Sequence, residues 1–210
     1  MPTWSYLYRD IIPPLLAAGY RCIAPDHMGF GKSDKPSDAN WYSIPRHTEI
    51  LTSLILALDL NNITLVCQDW GGPTGLAQAA MMPERFSRLV IMNTWLHHDE
   101  YQYSDAIKSW QNNWQAGGIF AGEKPNIALL MLLSANLMAP GDAINGIVSG
   151  TVPEMSVEAK SVYDGFIAPV LGMDDNAYNA FRRFPLSIPI ETAAVGNAIA
   201  QRQHYQTLLQ

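Results

Sequence analysis

The sequence predicts an α/β fold in which a mostly parallel sheet carries helices on both faces. Two observations support this prediction: helical and strand patterns alternate from residue 7 to residue 92, and the strand patterns are apolar on both faces. The composition agrees, because 48% hydrophobic and 15% charged residues in a chain of 210 are typical of one globular domain. A disordered chain would be less apolar, and a fibrous chain would have a repetitive sequence.

The first half of the chain alternates helices and strands. Apolar residues at helical spacing predict a helix over residues 7–18, which ends at Gly19, and another over residues 44–60. Short apolar runs predict three strands, over residues 20–24, 63–67 and 89–92. A helix over residues 73–82 follows the second of these strands at once, with Pro73 in its first turn. Because helices separate the strands, we expect the strands to be parallel.

The second half is predicted to be helical. Residues 95–184 show helical periodicity interrupted by Gly and Pro, and they contain no convincing strand pattern, which predicts an inserted helical subdomain. A further helix is predicted over residues 191–209. The predicted organisation is therefore a partial core over 1–94, a helical cap over 95–184 and a return to the core over 185–210.

Charge and hydropathy exclude several kinds of partner. Thirteen Lys and Arg against nineteen Asp and Glu give a net charge of -6 without a basic cluster, which argues against nucleic acid. The longest apolar stretch, residues 127–133, is far shorter than the roughly 20 residues that span a bilayer, and no secretory signal is recognised. Cys22 and Cys67 are too few for a disulfide framework. We expect a soluble, cytoplasmic protein with no metal and no cofactor, and the sequence leaves its oligomeric state open.

One sharp turn is the best candidate for chemistry. Residues 67–72, Cys-Gln-Asp-Trp-Gly-Gly, join a predicted strand to a predicted helix and place small residues on either side of Asp69. This pattern is typical of a nucleophile elbow, in which the central side chain is exposed at the carboxyl end of a strand. Asp followed by Gly after a strand is also common without a catalytic role, so the pattern alone makes Asp69 only a candidate.

Three segments together resemble the haloalkane dehalogenases of the α/β-hydrolase superfamily. They are residues 2–9 (PTWSYLYR), 24–36 (APDHMGFGKSDKP) and 68–72 (QDWGG), and their order and spacing agree with that family. At the end of the predicted cap, residues 181–185 (FRRFP) resemble the family's return from cap to core. Epoxide hydrolases share the second segment and a similar Asp-Trp-Gly turn, so they are the alternative. The resemblance implies an α/β-hydrolase fold with a cap and a small halogenated or epoxide substrate.

The resemblance also implies roles for particular residues. Asp69, ionised without the help of a base, would displace the halide and form an ester that water then hydrolyses. The indole N–H of Trp70 is a donor only, which suits a departing halide, and the backbone N–H of Trp70 would stabilise the oxyanion. Met1 occupies the position of the second oxyanion donor, although the His-Gly that precedes it in the family is absent.

The two alternatives require different side chains from the predicted cap. A dehalogenase needs a second donor to the halide, and an epoxide hydrolase needs a donor to the epoxide oxygen. In a dehalogenase, Trp110 or Trp114 of the predicted cap could supply it. In an epoxide hydrolase, cap tyrosines would instead protonate the epoxide oxygen, and the available ones are Tyr101, Tyr103, Tyr163 and Tyr178. Both sets lie in predicted helices, where aromatic residues more often serve packing.

The histidine base of the family's mechanism and the acid that partners it have no clear counterpart in the sequence. Asn93 stands where an acid is found in some members, Asp99 and Glu100 lie beyond it, and His204 is on a predicted polar helix. We therefore expect a chain truncated at both ends, in which the ester on Asp69 is hydrolysed poorly for want of a base. The alternative from another class is a non-catalytic fragment with exposed sheet edges.

Overall fold

The computed structural model describes residues 3–95, 102–115, 118, 126–188 and 190. Its regular elements, in chain order, are α1 Ile12–Ala17, α2 Ile44–Ala57, β1 Ile63–Asp69, α3 Gly71–Met81, β2 Phe86–Thr94, α4 Asp105–Trp114, α5 Ile127–Ser134, α6 Pro140–Ser149, α7 Val157–Ile167 and α8 Asn179–Leu186. Short 3-10 helices lie at Ser5–Tyr8, Ala39–Trp41, Pro83–Arg85 and Asp175–Tyr178. No helix within the described ranges is long and apolar enough to cross a membrane.

The chain divides into two compact units, each assembled from separate stretches of sequence. Among the described residues, the sheet unit comprises those within 40–111 and 183–190. The helical unit comprises those within 3–39 and 112–182. The predicted boundaries of core and cap, at residues 94 and 184, come from the change in sequence pattern, differ from this division and stay a prediction.

The sheet unit is built on two parallel strands. β1 and β2 pair along most of their length, with Cys67 opposite Ile91. Parallel neighbours need a crossover connection, and α3 provides it. The strands predicted at 63–67 and 89–92 are confirmed, and so are the helices predicted at 44–60 and 73–82, each with slightly shifted ends.

Helix α3 packs between β1 and α2. Gly75 allows the close approach to the sheet, because a Cβ at this position would lie 3.2 Å from Cδ1 of Leu65. Gln78 is fully buried and joins the two helices. Its Nε2 donates to the Thr48 carbonyl at 2.9 Å, and its Oε1 accepts from the Thr52 hydroxyl at 2.8 Å. Since this buried amide is satisfied on both sides, it fixes α2 against α3 without a penalty for burial.

The prediction that both strands are buried on both faces is wrong. Val66 of β1 and Leu89, Val90 and Ile91 of β2 are between 41% and 56% exposed. The reason is that α3 lies mainly over β1, so it covers one part of the sheet and leaves the rest open. An apolar strand pattern indicates what a strand could bury, and it does not supply the covering element.

The strand predicted at residues 20–24 is also absent. These residues have no regular secondary structure, and Tyr20 and Ile23 are 59% and 40% exposed. A strand requires a partner for its backbone, and in the part of the chain that is described β1 and β2 pair only with each other. The helix predicted at 7–18 is shortened to α1, whose first turn accommodates Pro13 and Pro14 because the N–H groups there need no partner in the helix.

The helical unit has its own apolar core. Helices α5 and α7 supply three of its fully buried side chains, Leu129, Leu132 and Ala159, and α6 packs against α5. The N-terminal stretch belongs to this unit as well, since the Asn179 side chain donates to the Ser37 carbonyl at 2.8 Å. Where residues 95–184 are described, the predicted helical character is confirmed.

Asp26 organises the loop that carries the second family-like segment. Its Oδ1 accepts from the Ser5 N–H at 2.7 Å, and its Oδ2 accepts from the Lys32 N–H at 2.8 Å. Gly31 turns the chain at a φ of +52°, and a Cβ there would overlap Asp26 and Trp4. The Asp and Gly of this segment are therefore explained by loop structure, because the carboxylate satisfies two backbone donors and only Gly fits beside it.

His27 makes the stability of the chain depend on pH. Burial lowers its pKa from the ordinary 6.5 to about 4. Because the folded pKa lies below the unfolded one, the unfolded state binds more protons between these values, and the free energy of unfolding falls as pH drops from 6.5 to about 4. We expect the urea midpoint of the native chain to decline over this window, and the decline to be smaller in His27→Gln. Equal declines in the two chains would contradict the assignment.

Candidate active site

Asp69 lies at the end of β1, where the strand turns directly into α3. Its φ is +53°, a left-handed backbone conformation that residues other than Gly rarely adopt. A strained residue at a sharp strand-to-helix turn is the geometry of a nucleophile elbow. The predicted turn over residues 67–72 is therefore present, and it leaves Asp69 where the strand ends, next to Trp70 and the first turn of α3.

Thr94 holds the backbone of this turn. Its hydroxyl donates to the Asp69 carbonyl at 2.5 Å. Gly72 is required for this approach, because a Cβ on it would overlap the Thr94 side chain. Residue 72 is therefore a glycine because α3 passes close to the end of β2.

An irregularity in β2 brings Thr94 to this position. Gln68 pairs with Met92 and Asp69 pairs with Thr94, so that Asn93 is an extra residue in the second strand, with a φ of +32°. An extra residue of this kind bends a strand and redirects the side chain that follows, and such bulges are frequent beside functional sites. Thr94 consequently lies opposite the carbonyl of Asp69.

Aromatic side chains surround Trp70. Its own side chain is 4% exposed, and its ring lies 5.2 Å from the ring of Trp95 and 5.6 Å from that of Phe184, both in edge-to-face contact. The ring of Phe184 lies a further 4.8 Å from that of His47, which is 1% exposed. This aromatic cluster excludes water from the side of the turn on which Trp70 lies and strengthens any hydrogen bond made there.

The start of α3 makes the turn favourable for negative charge. The first N–H groups of an α-helix have no partner within the helix, and they give its N-terminus a partial positive charge. Helix α3 runs for 11 residues from Gly71, directly after Trp70. The carboxylate of Asp69, or an oxyanion formed on it, would be stabilised at this helix end.

The other residues singled out in the sequence are distributed as follows. Trp110 belongs to the sheet unit, whereas Trp114, Tyr163 and Tyr178 belong to the helical unit. Five lie outside the described residues, namely Met1, Asp99, Glu100, Tyr101 and His204, and so does the predicted helix over 191–209 to which His204 belongs. No three His, Cys, Asp or Glu side chains are arranged to hold a metal in the described ranges.

Sequence reasoning missed several members of the site. Trp95 was predicted to open the cap, and Thr94 and His47 carried no signal of their own, because only the pairing of β1 with β2 and the packing of α2 bring them to the turn. Phe184 had a signal, since it stands in the FRRFP segment that resembles the family's return to the core.

Comparison with known proteins identifies the family. The sequence pattern described as the alpha/beta hydrolase fold matches residues 1–138. The chain belongs to this family. A haloalkane dehalogenase of Psychrobacter cryohalolentis is 39% identical over 188 residues, which are 90% of this chain and 54% of that protein. The chain spans about half the length of the curated relatives of this kind that it matches over most of its own length.

Other relatives match over shorter stretches with higher identity. Haloalkane dehalogenase 1 of Mycobacterium tuberculosis is 54% identical over 95 residues, 45% of this chain and 32% of that protein. A cis-3-alkyl-4-alkyloxetan-2-one decarboxylase of Shewanella oneidensis is 44% identical over 99 residues, 46% of this chain and 31% of that protein. Similarity over slightly less than half of this chain is therefore found in proteins named for different reactions.

Solved structures support the same family. A tetrameric haloalkane dehalogenase from Paraglaciecola agarilytica NO2 matches 99% of this α/β-hydrolase chain and 59% of its own, with a TM-score of 0.74 and 33% identity. An ancestral haloalkane dehalogenase matches 99% and 65%, with a TM-score of 0.64 and 26% identity. The predicted α/β-hydrolase fold and the resemblance to haloalkane dehalogenases are both confirmed.

Replacement of Gly72 tests the packing at the turn. In Gly72→Ala the new methyl group must displace Thr94, and we expect the free energy of unfolding to fall by about 1–3 kcal/mol, as for other overpacked sites. Gly141→Ala is the matched control, because a Cβ in this position of α6 meets open space and Ala favours a helix. Urea denaturation measures both, and a Gly72→Ala chain as stable as Gly141→Ala would refute the tight approach.

Replacement of Thr94 tests the hydrogen bond that holds the Asp69 carbonyl. Thr94→Val keeps the shape and removes the donor, which we expect to lower the free energy of unfolding by about 1 kcal/mol. Thr94→Ser retains the hydroxyl and should lose less. Thr64→Val, at an exposed position of β1, controls for the exchange of a hydroxyl for a methyl group in a strand. If Thr94→Val and Thr64→Val behave alike, the bond does not stabilise the turn.

Proposed function

We propose that this chain carries the nucleophilic centre of a hydrolase acting on small alkyl halides, with Asp69 as the nucleophile. One observation carries the proposal: Asp69 adopts a strained, positive φ at a strand-to-helix turn, followed directly by a buried Trp70. The similarity to haloalkane dehalogenases over most of the chain supports the reaction class. A small halogenated molecule as substrate and a cytoplasmic location belong to the same proposal.

In the first step, an oxygen of the Asp69 carboxylate attacks the carbon that bears the halogen. A carbon–oxygen bond forms as the carbon–halogen bond breaks, and the halide leaves with the bonding electron pair. The indole N–H of Trp70 donates to the departing halide. The aromatic cluster of Trp70, Trp95 and Phe184 makes this bond stronger than it would be in water, because it keeps the local environment apolar.

In the second step, water adds to the carboxyl carbon of the ester and an alcohol leaves. A negative charge develops on the ester oxygen, and the backbone N–H of Trp70 and the N-terminus of α3 are the donors proposed to stabilise it. Met1 is proposed as the second oxyanion donor, and Trp110 or Trp114 as the second halide donor. The attacking water must lose a proton to a base, and this role is not assigned to a described residue.

The reaction can be tested by following Asp69 itself. The chain is incubated with 1-bromobutane in ¹⁸O-labelled water, and Asp69→Asn is the control, because Asn has the same size and also tolerates a left-handed backbone. We expect a butyl ester on the peptide that contains Asp69 or, where water completes the cycle, ¹⁸O in the Asp69 carboxylate together with free bromide. Trp70→Phe should slow bromide release by roughly tenfold, the value of one hydrogen bond to a charged group.

The outcomes separate the alternatives. A folded native chain that shows no ester, no ¹⁸O in Asp69 and no bromide would overturn the proposal. Reaction of Asp69 with an epoxide but not with 1-bromobutane would favour an epoxide hydrolase. Absence of reaction with both would favour a non-catalytic fragment.

A further inference from the structure

A cavity of about 330 Å³ is lined by residues of the helical unit alone, whereas Asp69 and Trp70 belong to the sheet unit. Its walls come from the N-terminal stretch around Trp4, the Phe30–Gly31 turn, the start of α5, the end of α7 and the Tyr178–Phe181 segment. This volume falls within the range of small-molecule pockets and has room for about ten non-hydrogen atoms.

The wall of the cavity is apolar and uncharged. Large apolar side chains dominate it, among them Phe30, Phe166, Val170 and Phe181. None of the described residues that line it is Lys, Arg, His, Asp or Glu. A charged ligand would lose its hydration here without gaining a counter-charge, so the cavity favours a neutral molecule.

One lining residue carries a hydrogen-bond donor without an acceptor. The indole Nε1 of Trp4 is buried and has no hydrogen-bond partner among the described residues. The ring of Trp4 is stacked on Tyr6 at 5.5 Å, and Gly31 lies directly against its Cβ, so the indole is not free to turn elsewhere. A buried N–H without an acceptor costs about 1–3 kcal/mol, and in native proteins such a group is almost always satisfied by water or by a ligand.

A second donor lies in the same wall. The Tyr163 hydroxyl accepts from the Asn126 side chain at 3.1 Å, which leaves the hydroxyl hydrogen available to another acceptor. The Asn126 oxygen is already engaged, because it accepts from the Leu129 N–H at the start of α5. Burial raises the pKa of Tyr178, the other phenol in the wall, so that it too remains a donor at neutral pH. The wall therefore offers an indole N–H and phenol hydroxyls as donors, and the amide oxygen of Asn126 is already engaged.

We propose that this cavity binds a neutral, mainly apolar carbonyl compound, such as a ketone of about ten non-hydrogen atoms. The carbonyl oxygen has two lone pairs and no hydrogen, so it matches a wall that offers donors. It accepts from Nε1 of Trp4, and the apolar remainder of the ligand packs against Phe166, Val170 and Phe181. This binding site is separate from the proposed reaction at Asp69 and does not depend on it.

The proposal is tested with benzylacetone (4-phenyl-2-butanone) as the probe. The chain has six tryptophans, whose indole N–H groups give separate signals in a ¹H–¹⁵N spectrum of the labelled protein, and Trp4→Phe identifies the signal of Trp4. We expect the Trp4 signal to shift downfield and saturate as benzylacetone is added, because its N–H acquires an acceptor. In Trp4→Phe the affinity should fall about three- to tenfold, as for the loss of one hydrogen bond.

Two further variants locate the binding site. Val170→Phe adds bulk to the buried wall and should weaken binding at least tenfold, whereas Val148→Phe makes the same change on an exposed position of α6, which does not line the cavity, and should leave binding unchanged. The spread of the remaining indole signals shows whether each variant is folded. If Val170→Phe does not fold, the response of the Trp4 signal and the affinity of Trp4→Phe still test the proposed binding site.

Several results would overturn the proposal. These are a Trp4 signal that does not respond, shifts confined to other tryptophans, and equal affinity of native, Trp4→Phe and Val170→Phe chains. Benzylacetone has no leaving group, so Asp69→Asn should bind it as the native chain does. Failure of the ketone experiment and failure of the alkyl halide experiment are thus separate findings.

Discussion

The hydrogen bond from Thr94 to the Asp69 carbonyl is the contact on which the candidate active site depends. A positive φ at a residue with a side chain is unfavourable by itself, and it persists only where neighbouring structure holds it. Here the Thr94 hydroxyl donates to the carbonyl of Asp69, and α3 passes so close to the Thr94 side chain that residue 72 must be Gly. The position of Asp69, the entry into α3 and the burial of Trp70 all follow from this arrangement.

The sequence predicted the elements whose causes are local. Leu- and Ile-rich helical spacing gave α2, β-branched runs gave the strands, and the small residues flanking Asp69 gave the turn between β1 and α3. The segment at 20–24 has the same apolar character as β1, yet it is not a strand, because strand formation depends on a partner that no local pattern encodes. Exposure of β2 has the same origin, since the sequence records an apolar strand and not the element that covers it.

The site was predictable only in its first two members. Asp69 and Trp70 lie within one short segment, and a short segment can be recognised from its own residues. Thr94 reaches the turn through an extra residue in β2, Phe184 of α8 contacts Trp70, and His47 of α2 contacts Phe184. These relations join residues far apart in the chain, so the pattern around any one of them reveals nothing about the others. The Asp26 loop shows the converse, because its residues contact each other and the segment is recognisable as a whole.

The interleaving of the two units has a consequence for how the chain folds during synthesis. The Asn179 side chain binds the Ser37 carbonyl across 142 positions of sequence, and the Gln111 side chain binds the Ile188 carbonyl across 77. A ribosome adds about 5–20 residues per second, so the N-terminal stretch waits on the order of ten seconds before its partners in the helical unit emerge. During that interval the residues of β1, α3 and β2 have already been synthesised. The nascent chain can therefore assemble the turn that holds Asp69 first, and the cavity beside Trp4 can close only after Tyr178 and Phe181 have emerged.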